Sequence, residues 1–229
     1  MRASFLLLSK KEDEIIFGVE SFIYLFLCFI FMEIIFVRHA ETKNNVDGTI
    51  QGPEHGDINE KGEKEIEKVS QILKDEKIDV FYSSDIPRCK ITSEEINKFH
   101  NLDINFTELI REKYNGDWTG KNYKDVSWDQ LEGTFETRKV NNGESLTEVR
   151  LRARELIKEL LNKYGETDKK ILVISHGAFL KILIGDLLGM EIKNSIFNLK
   201  INHCSPIRVN FSDMVFENKN HKNVPSVSL

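Results

Sequence analysis

Glu33-Ile34-Ile35-Phe36-Val37-Arg38-His39-Ala40-Glu41-Thr42-Lys43-Asn44-Asn45 is the stretch on which the reading of the whole chain turns. Four consecutive apolar residues, two of them Ile and one Val, predict a strand buried on both faces, as in a parallel sheet covered by helices. The run stops abruptly at a guanidinium beside an imidazole, and polar residues take over. Ligands of open parallel sheets sit beyond the carboxyl ends of strands, so Arg38 and His39 are expected at that edge rather than in the core.

Two later stretches repeat the design. Lys169-Lys170-Ile171-Leu172-Val173-Ile174-Ser175-His176-Gly177 is another apolar run, and Phe179, Leu180, Ile182, Leu183 and Leu187 follow it at helical spacing. Ile78-Asp79-Val80-Phe81-Tyr82-Ser83-Ser84-Asp85-Ile86-Pro87-Arg88 is the third. As parallel neighbours, these strands would gather two imidazoles, His39 and His176, and two guanidiniums, Arg38 and Arg88. That set suits phosphate: the planar fork of Arg matches phosphate oxygens in pairs, and an imidazole among cations stays neutral and nucleophilic. The helix opened by His176 and Gly177 adds free backbone N–H groups that favour an anion.

At these residues the chain resembles the histidine phosphatase superfamily, its phosphoglycerate mutase-like branch, whose signature is an Arg-His-Gly-Glu-Thr run after the first strand. Here Arg38-His39-Ala40-Glu41-Thr42 stands in that place. Asn45 matches the family's phosphate-contacting Asn, and Gln51-Gly52 with Ile58-Asn59-Glu60-Lys61-Gly62 resembles the substrate loop and the next helix start. Ser83-Ser84-Asp85 with Arg88 is similar to the second arginine motif. Leu109-Ile110-Arg111-Glu112, followed by Gly116-Asp117-Trp118-Thr119-Gly120, is similar to the segment that carries the family's acid, which maps to Glu112. Gly143-Glu144-Ser145 and Ser175-His176-Gly177 complete the set, which runs from about Glu33 to Phe211. Ala40 replaces the commoner Gly, Cys89 the usual Ala after the arginine, and Thr49 an Arg found in the substrate loop of many relatives.

The resemblance implies an α/β fold, a single-domain three-layer sandwich with a mostly parallel central sheet and helices on both faces. It implies His39 as nucleophile through a phosphohistidine, Glu112 as acid, and Arg38, Arg88, His176 and Asn45 around the phosphoryl oxygens. Gln51, Gly52 and Gly177 are expected on the substrate. The activity implied is metal-independent hydrolysis of a phosphomonoester of a small phosphorylated metabolite, with no cofactor. Two alternatives stand beside it: mutase-type phosphoryl transfer, and a non-catalytic module that binds phosphorylated ligands. Residues 119–142 are short and polar where the glycolytic mutases carry a longer insertion, which favours a phosphatase.

A chain of 229 residues with 40% hydrophobic residues can bury one sizeable core. The net charge of -5, with basic residues dispersed among acidic ones, gives no nucleic-acid footprint, so an anionic substrate must be held by a local cluster. Cys28, Cys89 and Cys204 fit neither a disulfide framework nor a metal-binding spacing, which points to a reducing compartment. His39 and His176 have arginines nearby rather than the carboxylates that steady ligand histidines, and no metal is expected.

Residues 1–31 form an apolar extension, 32–216 the catalytic domain and 217–229 a polar, frayed tail. Ile15 to Met32 is nearly all apolar, broken by Glu20, and falls a little short of the roughly 20 residues a membrane span needs. A signal anchor, a cleaved signal peptide and an upstream extension compete here. Met32-Glu33-Ile34-Ile35-Phe36-Val37-Arg38-His39 favours Met32 as the natural start. A cytoplasmic protein is then expected, with membrane anchoring through residues 1–31 as the alternative; a homodimer is left open.

Local pattern fills in the rest. Glu41 to Gly56 reads as a loop, and Asn59 caps a helix running through Asp75. A second helix carries Arg88 and runs to about Phe99, and Ile104 to Leu109 is a short strand leading to Glu112. Ser145 and Glu148 form a capping box for a helix closed by Gly165. Ile196 to Asn202 and Ile207 to Phe211 read as closing strands, with Pro206 in the connection. Adjacent strand residues point to opposite faces, so His203 and Cys204 are set aside as a reactive pair.

Overall fold

Strand β4 (Lys170–Ser175) pairs in parallel with β1 (Glu33–Arg38) on one side and with β2 (Val80–Ser84) on the other. The three apolar runs are therefore neighbours, and their carboxyl ends meet. The computed structural model describes residues 32–53 and 56–211, together with the backbone of 226–228. The sheet has six strands in the order β3-β2-β4-β1-β5-β6. β3 (Ile104–Thr107) extends the parallel part, whereas β5 (Pro206–Asn210) and β6 (Ser226–Ser228) are antiparallel.

The four-residue apolar run of β1 follows from burial on both faces. Ile34 and Phe36 pack with Ile171 and Val173 into a core under α4 (Leu146–Tyr164) and α5 (Gly177–Leu187). Ile35 and Val37 pack with Leu172 and Ile174 under α2 (Glu60–Leu73) and α3 (Pro87–Asn97). All eight of these strand residues are fully buried, each such side chain stabilising the fold by about 1.5–3 kcal/mol. The three layers expected from sequence are present. Helix ends are set by side chains: Asn59 Oδ1 accepts from Gly62 N–H at 2.8 Å, and Ser145 with Glu148 forms the expected reciprocal cap.

Several local expectations are corrected. The segment 41–56 contains a short helix, α1 (Lys43–Asp47), capped by Thr42. β3 ends at Thr107, and Glu108–Ile110 forms a single 3-10 turn before Glu112. Ile196 to Asn202 is not a strand: Ile192–Asn198 forms α6, with Ile192 and Ser195 buried at helical spacing. Ser195 packs where Gly185 of α5 has no side chain, since a Cβ there would lie 1.8 Å from Ser195 Oγ. That contact selects the helix. Pro206 opens β5 opposite Val37, a position where a missing N–H is tolerated. His203 and Cys204 lie in the turn before β5, with Cys204 at φ 47°, so the strand argument that separated them does not apply. The tail is not wholly frayed, because Ser226–Ser228 pairs with β5. The readings of residues 1–31 fall outside the described residues; none of the described helices is long and apolar enough to cross a membrane.

Candidate active site

The β1 ladder continues past its last strand residue, His39 N–H donating to Ser175 O at 2.9 Å, which fixes His39 beside the end of β4. Its ring Nδ1 lies 2.7 Å from Ala40 O. A carbonyl only accepts, so Nδ1 carries the proton and Nε2 keeps the lone pair. Arg88, brought from the first turn of α3, donates its Nε–H to His39 Nε2 at 3.2 Å and its Nη1–H to Gly52 O at 3.1 Å. The lone pair of Nε2 thus faces the Arg88 guanidinium.

His176 is the N-cap of α5, fully buried, with its ring 5.2 Å from that of His39 and its Nε2 2.9 Å from Ser84 Oγ. Arg38 donates Nη1–H to Ile201 O at 3.0 Å, while its buried Nε finds no partner among the described residues. Leaving a buried donor unmade costs about 1–3 kcal/mol, which an anion at this point would recover. Gly177 explains how the guanidinium gets so close: a Cβ there would stand 3.1 Å from Arg38 Cζ.

Glu112 reaches the same helix start. Its carboxylate accepts from Ala178 and Phe179 N–H, both at 3.1 Å, and from its neighbour Lys113 N–H at 2.9 Å. The anion expected from the free N–H groups of α5 is therefore supplied by the chain itself. Asn45 and Gln51 converge on Thr42, whose hydroxyl lies 2.9 Å from Asn45 Oδ1 and 3.0 Å from Gln51 Oε1. One hydroxyl proton serves one acceptor at a time. Beside these groups opens a cavity of about 830 Å³, which Gln51, Gly52, Arg88 and Glu112 help to line.

His203, set aside on the sequence, lies beside His39 in the structure. Its ring centroid is 5.6 Å from that of His39, because the turn before β5 returns against the end of β1 and bridges to Arg38. Nothing in the local pattern signals this. Glu41, Glu65 and His203 also bring three ligand-type atoms within 4.8 Å of one another. Lys61 Nζ, 2.7 Å from Glu41 and 3.6 Å from Glu65, already supplies positive charge there.

Burial, then Arg88 and Arg38, pushes the proton affinity of His39 well below its ordinary value, and burial, Arg88 and His39 do the same to His176. Burial lowers His203 to about 4. The unfolded chain binds protons at these imidazoles near pH 6.5, whereas the native state excludes them. The contribution is therefore fully present above pH 6.5 and is lost as pH falls. Each neutral histidine adds a slope of about 1.4 kcal/mol per pH unit between roughly pH 6 and 5. Urea unfolding at pH 7.5, 6.0 and 5.0 should show this loss, and His203→Asn should make it smaller. A midpoint that does not move with pH would rule out neutral burial.

Comparison with known proteins identifies the family. The family model of the histidine phosphatase superfamily (branch 1) matches residues 34–223. Phosphoserine phosphatase 1 of Hydrogenobacter thermophilus is 30% identical over 167 residues, covering 70% of this chain and 78% of that protein. A probable phosphoglycerate mutase, GpmB, of Photorhabdus laumondii is 28% identical, covering 79% of this chain and 85% of that one. Among solved structures, the alpha-ribazole phosphatase of Shigella flexneri superposes with a TM-score of 0.70 at 22% identity, over 78% of this chain and 90% of that one, a likeness of fold. Apolar strands ending in paired histidines and arginines, together with a family match over most of the chain, make this protein a phosphatase belonging to branch 1 of the histidine phosphatase superfamily.

Proposed function

We propose that the chain hydrolyses a phosphomonoester of a small metabolite through a phosphohistidine on His39, without a metal. The observation that carries this reading is the neutral, buried imidazole whose Nε2 lone pair faces Arg88 Nε at 3.2 Å. A phosphoryl group entering there takes over the Arg88 donor and meets the unsatisfied Nε of Arg38. His39 Nε2 attacks phosphorus, the ester P–O bond breaks, and the charge on the equatorial oxygens is held by Arg38, Arg88, His176 and the amide nitrogen of Asn45. Glu112 gives its proton to the departing alkoxide. As a carboxylate it then takes a proton from the water that attacks the phosphohistidine, which releases inorganic phosphate and restores both residues.

Glu41, the other carboxylate near His39, serves this purpose less well. Its oxygens are engaged by Lys61 and Asn59, and those hydrogen bonds hold it below the usual carboxylate range. The names of the relatives, phosphoserine phosphatase and alpha-ribazole phosphatase, support hydrolysis over transfer, although a relative named as a probable mutase keeps transfer as the reading to be tested. Release of inorganic phosphate from p-nitrophenyl phosphate tests the proposal, and no release above blank would favour a module that only binds. The same assay in excess EDTA should give an unchanged rate, because the guanidiniums supply the charge a metal would. Loss of rate that a divalent ion restores would refute metal independence.

A further inference from the structure

The cavity beside the phosphoryl site holds several cations, and their pairing restricts what the substrate can be. Arg111 grips Asp85 with two N–H groups, Nε at 2.7 Å, and turns Nη1 to Glu108 at 3.2 Å. Arg152 grips Glu144 at 2.8 and 2.9 Å and spends Nη1 on Leu109 O and Arg111 O at 2.6 and 3.2 Å. Lys113 is only 6% exposed, and its ammonium is engaged by Asn115 Oδ1 at 2.7 Å and stands 5.1 Å from the Trp128 ring. A second anion on the substrate would find these cations occupied. It would also meet the exposed carboxylate of Glu155 on the cavity lining, while that of Glu108 is held by Arg111.

Part of the remaining wall is apolar; Gln51, Thr107, Glu112 and Glu144 also line it, and Lys90 Nζ stands 5.2 Å from the Phe106 ring. Phe106 and Tyr114 keep 43% and 41% of their surfaces open, and Ile86 and Leu109 lie on the same cavity. Exposed rings beside a reaction site offer area to an apolar group at low entropic cost. We infer that the natural substrate is a phosphomonoester whose only anion is the phosphate, and that its uncharged alcohol presents an apolar face to Phe106 and Tyr114. This rests on the phosphatase reading above and narrows it: esters of carboxylate-bearing alcohols, such as phosphoserine, are disfavoured.

A matched pair isolates the effect. Benzyl phosphate and 4-carboxybenzyl phosphate share a leaving group and differ by one carboxylate, and p-nitrophenyl phosphate serves as the activity control. With the full chain, kcat/KM for the benzyl ester should exceed that for the carboxylated ester by about tenfold or more, since repulsion discriminates where attraction does not. The expected cause is checked at two exposed positions: Glu155→Gln removes a repelling charge, and Glu108→Gln releases Arg111 Nη1 from its ion pair. At least one should raise turnover of the carboxylated ester and narrow the ratio by about threefold or more. A wild-type ratio below tenfold, or one that neither substitution narrows, overturns the inference while leaving the phosphatase reading intact. Failure of all three esters overturns that reading and the inference with it.

Discussion

His39→Ala should lower phosphate release by on the order of 10⁴-fold or more, because no other group stands where the lone pair of Nε2 faces the phosphoryl site. The fold should survive. His39 is buried but sits just past the end of β1, outside both apolar clusters, and its loss removes one acceptor from Arg88 Nε. A cost of about 1–3 kcal/mol in stability is expected from that unmade bond, which thermal unfolding would detect. Acid-quenched reactions with labelled substrate should leave phosphate on the wild-type protein and none on the variant. Label on His39→Ala protein would move the nucleophile elsewhere, with His176 next to be tested.

The second large effect is selective. Glu112→Gln should slow cleavage of an alkyl phosphate by about 10²- to 10⁴-fold, since an alkoxide needs a proton to leave. Nitrophenolate leaves unprotonated, so phosphorylation of His39 by p-nitrophenyl phosphate should be nearly unaffected. Dephosphorylation, which needs Glu112 as base, then becomes slow, and rapid mixing should show a burst of about one nitrophenolate per site. The geometry adds a control. The carboxylate caps Ala178 and Phe179 at the start of α5, and Gln keeps a single acceptor oxygen for them. Loss of about 1 kcal/mol in stability should accompany the change, as for other N-cap substitutions. Equal slowing with both esters and no burst would reduce Glu112 to a capping residue.

The sheet and its carboxyl edge were legible because long apolar runs need burial on both faces, and because the polar residues after each run can only lie beyond the strand. The position of Glu112 was legible only by resemblance; a glutamate after a short strand carries no signal that it will cap a helix formed 66 residues later. His203 was illegible for a different reason. It reaches His39 through the antiparallel return of β5, a tertiary event that local periodicity does not encode. The strand expected over Ile196 to Asn202 failed where a short apolar pattern fitted two periods and the contact of Ser195 with Gly185 decided between them. Asn45 was singled out for phosphate, and the structure gives its carbonyl oxygen a second task, fixing the first turn after β1 through Thr42.

The pairing of Ser226–Ser228 with Arg208–Asn210 also bears on solution behaviour. Without it, β5 would present unpaired N–H and C=O groups at the open border of the sheet, the geometry through which one molecule can extend the sheet of another. A three-residue strand rich in serine satisfies those groups and offers little length for a further addition. A chain shortened after Phe211 should therefore self-associate more readily than the full chain, which size-exclusion chromatography of the two would check.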